Sequence, residues 1–308
     1  MVGTIMELAS PPLSLHRLST ATIAASLQHC PRLPSLASIN SALRELLNAD
    51  QRYTSQISDV IRRDPSLTAR LLRLVNSVYY GITTPVKSIE EAVFYLGVRQ
   101  IRQLAMVTPV IEDFQRLTGG AHFHWREFWQ HCIATALMTA EVVASAQLVP
   151  DEADYVAGLV HDVGKIAMAA TFPEHFSEVR KRLAAVPEDI LAVEKEVLGI
   201  DHAELGALYL KAHNLPDAMV EAVQYHHHPE DCPNHAQLAA AVQIADLLVR
   251  NAKIGVSGNP AKVDTQNWLV ATGWEILFPK SDDEGLAIAR ANLQGYLERV
   301  PAILEGLV

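Results

Sequence analysis

The sequence predicts an all-α protein built as a two-lobed helical bundle. Apolar residues recur three and four positions apart, as in Val156, Leu159 and Val163, whereas runs that alternate apolar and polar residues are scarce. Helix start signals agree with this periodicity. Ser88 stands three residues before Glu91, which is the spacing of a capping box.

The strongest break in the helical pattern is Thr118-Gly119-Gly120, and the composition changes across it. Eleven of the thirteen histidines lie between His122 and His235. We therefore expect four parts: a flexible lead-in over residues 1–14, an N-terminal helical lobe over 15–117, a histidine-rich helical lobe over 121–252 and a C-terminal helical tail over 253–308.

Composition restricts the classes of function. The 308 residues include 25 Lys+Arg and 35 Asp+Glu, and the net charge of −10 disfavours nucleic acid and anionic membranes as partners. A stripe of arginines in the predicted N-terminal lobe could offset this locally, but we expect these side chains to lie on solvated helix faces. The arginines are Arg62, Arg63, Arg70, Arg73, Arg99 and Arg102.

The cellular compartment is predicted from the N-terminal residues, the apolar runs and the cysteines. The N-terminal residues do not follow a signal-peptide pattern, and no apolar run is long enough for a membrane helix. The three cysteines, Cys30, Cys132 and Cys232, are widely spaced and do not form a CxxC motif, so we expect a reducing compartment. We expect a cytoplasmic protein without membrane contact.

A potential metal site begins with Glu127 and His131, which are four residues apart and therefore share one face of a predicted helix. In isolation the pair also fits a solvated glutamate beside a histidine at the edge of the core. Residues 158–165, GLVHDVGK, are more specific, because His161 and Asp162 follow an apolar run, where unpaired polar groups are costly to bury.

A metal ion would satisfy both His161 and Asp162, and Lys165, one turn later, would then meet an anionic ligand. The alternative is an Asp162–Lys165 ion pair within a helix, with His161 bonded to the backbone. Asp246 poses the same problem of burial, because it interrupts the apolar stretch VQIADLLV at 242–249. The candidate ligands are Glu127, His131, His161, Asp162, His202, His226, His227 and Asp246.

This order of ligands resembles the HD superfamily of metal-dependent phosphohydrolases, whose H…HD…D framework on a helical bundle holds the metal. The additional glutamate and the later histidine pair resemble the ligand set of the HD-GYP phosphodiesterases. A Gly-Tyr-Pro stretch does not follow His226-His227, where the sequence continues HPEDCP. The resemblance therefore implies the metal site but does not favour cyclic-dinucleotide hydrolysis.

The chain is more similar to the HD-related output domain, HDOD. The stretch DPSLTARLLRLVNSVYYG at 64–81 and the stretch SIEEAVFYLG at 88–97 look like the hallmark of that family, and AGLVHDVGK at 157–165 continues it. The resemblance covers roughly residues 30–252. It implies an all-helical bacterial signalling module, used in two-component regulation, with an HD-like lobe that carries the metal ligands.

Two functions follow as expectations. The first is an output or adaptor module that acts through contacts with a response regulator, a sensor kinase or a cyclic-dinucleotide enzyme. The second is a metal-dependent phosphohydrolase, in which a metal-bound water attacks a phosphoester while Asp162 and Lys165 serve catalysis. Because the donors are imidazoles and carboxylates, we expect one or two divalent ions, iron or manganese before zinc or magnesium.

Overall fold

The computed structural model of the chain describes residues 15–28, 30, 72, 85–88, 91–92, 123–149, 152–186 and 188–305. Several predicted features lie wholly or mostly outside these residues: the lead-in 1–14, most of the stretches 64–81 and 88–97, the six arginines and the Gly119-Gly120 break. The division into an N-terminal lobe, a histidine-rich lobe and a tail therefore stays a prediction.

The all-α class is confirmed, because the described residues form helices and no β-strand. The helices are α1 (Thr20–Leu27), α2 (Trp125–Ser145), α3 (Glu152–Val160), α4 (Val163–Thr171), α5 (Pro173–Ala185), α6 (Ile190–Val197), α7 (His202–Ala212), α8 (Asp217–Tyr225), α9 (Ala236–Asn251), α10 (Thr265–Leu269), α11 (Gly273–Leu277), α12 (Asp283–Leu297) and α13 (Val300–Glu305). A short 3₁₀ helix covers Pro229–Asp231. None of the described helices is long and apolar enough to cross a membrane.

Helix α2 lies at the centre of the bundle. Thirteen of its residues are buried, and it contacts α3, α9, α12 and α13. The helix is buried on nearly all sides because its middle section, CIATALMTA at 132–140, carries almost only small or apolar side chains. Any polar side chain that α2 directs inward is therefore removed from water.

Capping residues determine where the helices around the site begin. Helix α7 starts with a capping box, in which Asp201 accepts from the N–H of Glu204 while the Glu204 carboxylate accepts from the N–H of Asp201. This cap makes His202 the first residue of α7. Helix α6 starts at Ile190, because Asp189 accepts from the N–H of Leu191.

Two glycines allow the helices to approach closely. A Cβ at Gly158 on α3 would lie 2.5 Å from the Thr139 hydroxyl oxygen of α2. A Cβ at Gly164 on α4 would overlap the backbone carbonyl of His202 and lie 2.8 Å from the backbone nitrogen of Gly206 on α7. These contacts bring the turn between α3 and α4 close to both α2 and α7.

We expect Gly164→Ala to lower the free energy of unfolding by about 1–3 kcal/mol, because the added methyl group meets rigid backbone. Gly295→Ala in α12 is the matched control, since a Cβ there has no neighbour within 4 Å. This second change should stabilise the protein by about 0.5–1 kcal/mol through helix propensity. Urea denaturation followed by circular dichroism measures both, and equal effects of the two changes would contradict the packing described here.

Candidate metal centre

Seven of the eight predicted ligands lie at one place in the bundle. His131 lies on α2, the adjacent His161 and Asp162 form the turn between α3 and α4, and His202 begins α7. His226 and His227 directly follow α8, and Asp246 lies on α9. Side chains that are far apart in the sequence therefore meet because five chain segments converge around one point.

The first group of donors consists of His131, His161, Asp162 and Asp246. The Nε2 atoms of the two imidazoles lie 3.3 Å apart. Oδ2 of Asp162 lies 3.4 Å from Nε2 of His161 and 3.8 Å from Nε2 of His131. Oδ1 of Asp246 lies 3.2 Å and 3.8 Å from the same atoms of His131 and His161. Two imidazoles and two carboxylates thus face one small volume.

The second group consists of His202, His226 and His227, whose donor atoms lie within 4.8 Å of one another. Nε2 of His202 lies 3.0 Å from Nε2 of His227 and 3.2 Å from Oδ1 of Asp162. The two oxygens of Asp162 therefore face different groups: Oδ2 faces His131 and His161, and Oδ1 faces His202. If each group held an ion, Asp162 would offer one oxygen to each.

The hydrogen bonds of the rings determine which nitrogen faces the centre. Nδ1 of His161 lies 2.8 Å from the carbonyl oxygen of Gly158, and Nδ1 of His226 lies 2.7 Å from that of Val223. Since a carbonyl oxygen only accepts, Nδ1 donates in both pairs, and in the neutral ring Nε2 keeps its lone pair. Imidazoles that bind metals are usually held this way.

His226 gives the most direct indication that a cation belongs here. Its Nε2 is buried and has no hydrogen-bond partner within the described part of the chain. Burial, together with the charge of His161, lowers the pKa of His226 to about 3, so the ring stays neutral. A buried lone pair without a donor is costly in a protein but is a suitable ligand for a divalent metal ion.

The charges around the centre also suit a cation. Burial by itself would raise the pKa of Asp162, but Lys165 and His161 outweigh it and hold the pKa well below its usual value. Burial would also raise the pKa of Asp246, but the charge of Arg250 and the hydrogen bond to His131 hold it well below its usual value. Both side chains therefore remain carboxylates in a site of very low exposure.

The imidazoles differ in the direction in which the site shifts their pKa. Burial lowers the pKa of His131 and of His227, which keeps both rings neutral. Burial would also lower the pKa of His202, but the charge of Glu194 and the hydrogen bond to Asp162 raise it to about 9. A metal ion at Nε2 of His202 would therefore have to displace a proton from that ring.

Glu127 is the predicted ligand that the structure does not bring to the group. Its side chain is 44% exposed in the first turn of α2, and its carboxylate lies 3.9 Å from Nδ1 of His124. Only its backbone is near the centre, because its carbonyl oxygen accepts from the N–H of Val256 at 2.9 Å. Its assignment as a ligand stays a prediction.

The loop between α9 and α10, residues 252–264, lies against residues of the centre and is here called the closing loop. Lys165 donates to Asp162 at 2.7 Å and to the carbonyl oxygen of Ser257 in this loop at 3.0 Å. Arg250 donates to Asp246 at 3.3 Å and to the carbonyl oxygen of Ala261 at 3.0 Å. One cation thus connects each carboxylate of the centre to the closing loop.

Gly255 determines how closely the closing loop approaches α2. Its φ is +66°, a conformation that favours glycine, and a Cβ there would overlap the backbone of Glu127 and of His131. The loop backbone therefore lies directly against the helix segment that carries His131.

Comparison with known proteins identifies the family. The model of one family, the HDOD domain, matches residues 33–229 of the chain. The chain belongs to the HDOD family. Asp246 lies beyond the matched residues, although the fold places it 3.2 Å from His131.

This HDOD protein matches a curated relative at low sequence identity. An uncharacterized protein of Treponema pallidum (strain Nichols) is 26% identical over 256 residues, and the match covers 80% of this chain and 48% of that relative. The chain thus spans about half the length of the curated relative it matches.

Two solved structures share the fold. An HDOD domain protein of unknown function from Geobacter sulfurreducens has a TM-score of 0.78 at 23% identity, over 94% of this chain and 99% of that one. A protein of Marinobacter aquaeolei VT8, described as a candidate signal transduction protein, has a TM-score of 0.68 at 23% identity. That match covers 91% of this chain and 60% of the other.

Two charged residues of the site were not predicted from the sequence. Glu194 accepts from Nδ1 of His202 at 2.6 Å, and Arg250 binds Asp246. A signal for Glu194 was present, because it stands on the buried face of α6 with Ile190 and Val193. Arg250 follows Asp246 by four residues, which is the spacing of an ion pair on one helix face.

We expect Lys165→Met to lower the free energy of unfolding of the chelator-treated HDOD protein by about 3 kcal/mol, because Asp162 then stays buried without its cation. Lys195→Met is the matched control. Lys195 binds Asp201 at 2.8 Å, but its side chain is 47% exposed, so its loss should cost less than about 1 kcal/mol. Urea denaturation in EDTA measures both, and equal losses would contradict the buried ion pair.

Proposed function

We propose that this HDOD chain is a signal-transduction output or adaptor module that acts through protein contacts and carries a divalent metal centre. The observation that supports this function best is that the centre is closed from within. Lys165 is the cation best placed to meet a substrate phosphate, and it already binds Asp162 and the closing loop. A module that works through partners needs an ordered lobe and does not need an open substrate cleft.

The metal is proposed from the donor set. His131, His161 and Asp246 would hold one ion, His202, His226 and His227 would hold another, and Asp162 would bridge them. Neutral imidazoles with carboxylates suit iron or manganese, and also zinc or magnesium. When bound, such an ion supplies positive charge for the two buried carboxylates and acts as a Lewis acid.

We propose response regulators, sensor kinases or cyclic-dinucleotide enzymes as partners, in a cytoplasmic two-component pathway. Membership of the HDOD family supports this class of partner, as does the shared fold of the Marinobacter aquaeolei VT8 protein described as a candidate signal transduction protein. The net charge of −10 favours protein partners over nucleic acid or a membrane surface.

A second candidate function is metal-dependent phosphoester hydrolysis. The observation that favours it is the position of Asp162 between two ligand groups, since pairs of ions that share a carboxylate suit in-line attack on phosphate. In that reading, Lys165 would have to leave the carbonyl oxygen of Ser257 to reach a substrate. Hydrolysis therefore requires the closing loop to move, whereas the adaptor function does not.

Elemental analysis tests the metal centre. Protein purified without added metal should retain one or two divalent ions per chain, and a His161→Ala, Asp162→Ala double substitution should lose most of them. His228→Ala is the matched control, because this neighbour of the histidine pair is 62% exposed and lies 3.5 Å from Glu230. Metal-free wild-type protein that also takes up no added metal would contradict the proposed centre.

Turnover separates the two functions. Metal-loaded protein should hydrolyse neither phosphomonoesters nor nucleotides nor cyclic dinucleotides, because Lys165 is already bound to Asp162 and to the closing loop. Hydrolysis by the wild type that the His161→Ala, Asp162→Ala protein has lost would contradict the adaptor function and support the phosphohydrolase.

A further inference from the structure

Glu194 is a buried carboxylate next to the centre but outside its ligand set. Its side chain is 2% exposed, and Oε2 accepts two hydrogen bonds from His202. One comes from the ring Nδ1 at 2.6 Å and the other from the backbone N–H at 2.8 Å. Both bonds converge on one oxygen, so they fix the ring and the backbone of His202 together.

The position of His202 explains why its Nδ1 needs a hydrogen-bond acceptor from another helix. His161 and His226 each follow the end of a helix, and each ring bonds to the carbonyl oxygen three residues earlier. His202 is instead the first residue of α7, so the residue three positions earlier, Gly199, lies before the helix. A carboxylate from α6 takes the place of that helix carbonyl.

Glu194 approaches the ring from the side opposite to the centre. Nδ1 of His202 faces Glu194, whereas Nε2 lies 3.2 Å from Asp162 and 3.0 Å from Nε2 of His227. The carboxylate is therefore behind the ligand and acts through it. A carboxylate behind a metal-binding imidazole fixes its tautomer and makes it a stronger donor than a carbonyl oxygen does.

We propose that Glu194 is the positioning residue of the second ligand group: it holds His202 with the proton on Nδ1 and directs Nε2 to the ion shared with His226 and His227. This inference rests on the metal centre proposed above. His202 thereby differs from His161 and His226, which are held by backbone carbonyls that no side-chain substitution removes.

The test uses the full chain and Co²⁺, whose visible absorption reports on each ligand environment. Glu194→Ala should weaken one of two bound Co²⁺ ions by about 10- to 100-fold and change the absorption of that ion only. Glu194→Gln keeps an oxygen acceptor for Nδ1–H but loses the charge of the carboxylate, so it should weaken the binding of the same ion, by less than Glu194→Ala does. Glu196→Ala on the same helix is the control, because its side chain is 64% exposed and binds Arg182.

The outcomes separate the two proposals. Wild-type protein that binds no Co²⁺ would contradict the metal centre itself. Wild-type protein that binds two ions, with Glu194→Ala folded and identical to Glu196→Ala in affinity and spectrum, would overturn the role of Glu194 alone. If Glu194→Ala does not fold, Glu194→Gln decides: we expect a weaker affinity and a shifted spectrum for one ion, and an unchanged protein would overturn the inference.

Discussion

The buried carboxylate of Asp162 is the constraint on which the rest of the site depends. It is 2% exposed, it lies between two groups of imidazoles, and one of its oxygens binds Lys165. A carboxylate in such a position is stable only with cations around it, and the protein provides one as a lysine. His202, whose pKa is raised to about 9, provides a second one 3.2 Å from Asp162, and a metal ion at Nε2 of that ring would take the place of its proton.

The fold brings this carboxylate to its partners by close packing of helices. Asp162 lies in a turn of two residues, and glycines on either side, Gly158 and Gly164, allow α3 to lie against α2 and α4 against α7. The closing loop completes the arrangement, since Gly255 lies on the backbone of His131 and Lys165 reaches Ser257. Packing, charge pairing and ligand geometry are thus connected at one point.

Much of this site could be predicted from the sequence, because burial of polar residues leaves a pattern. His161 and Asp162 follow an apolar run, and Asp246 lies within one. Burial of such polar residues is costly unless they are compensated, and the structure places all three in the centre. For Lys165 the structure shows the alternative interpretation, the ion pair with Asp162, and His161 bonds to the backbone carbonyl of Gly158. The contact of Lys165 with an anionic ligand stays a prediction. The helical class followed equally directly from the apolar periodicity.

Other features could not be predicted from local sequence. The spacing of Glu127 and His131 places them on one helix face, but it does not predict that the Glu127 side chain is 44% exposed. Glu194 contributes through a contact between two helices, and in the sequence it stands in a run of charged residues whose other members, Lys195 and Glu196, are exposed. The contact of the closing loop with Lys165 spans 92 residues and depends on tertiary packing alone.

The most direct test of the bridging position of Asp162 is anomalous X-ray diffraction from crystals of the Mn²⁺-loaded chain, recorded on both sides of the manganese absorption edge. Two anomalous peaks are predicted, one on each side of Asp162. The first should contact His131 and His161, and the second should contact His202, His226 and His227. Anomalous density elsewhere in the chain, with none beside Asp162, would contradict the account.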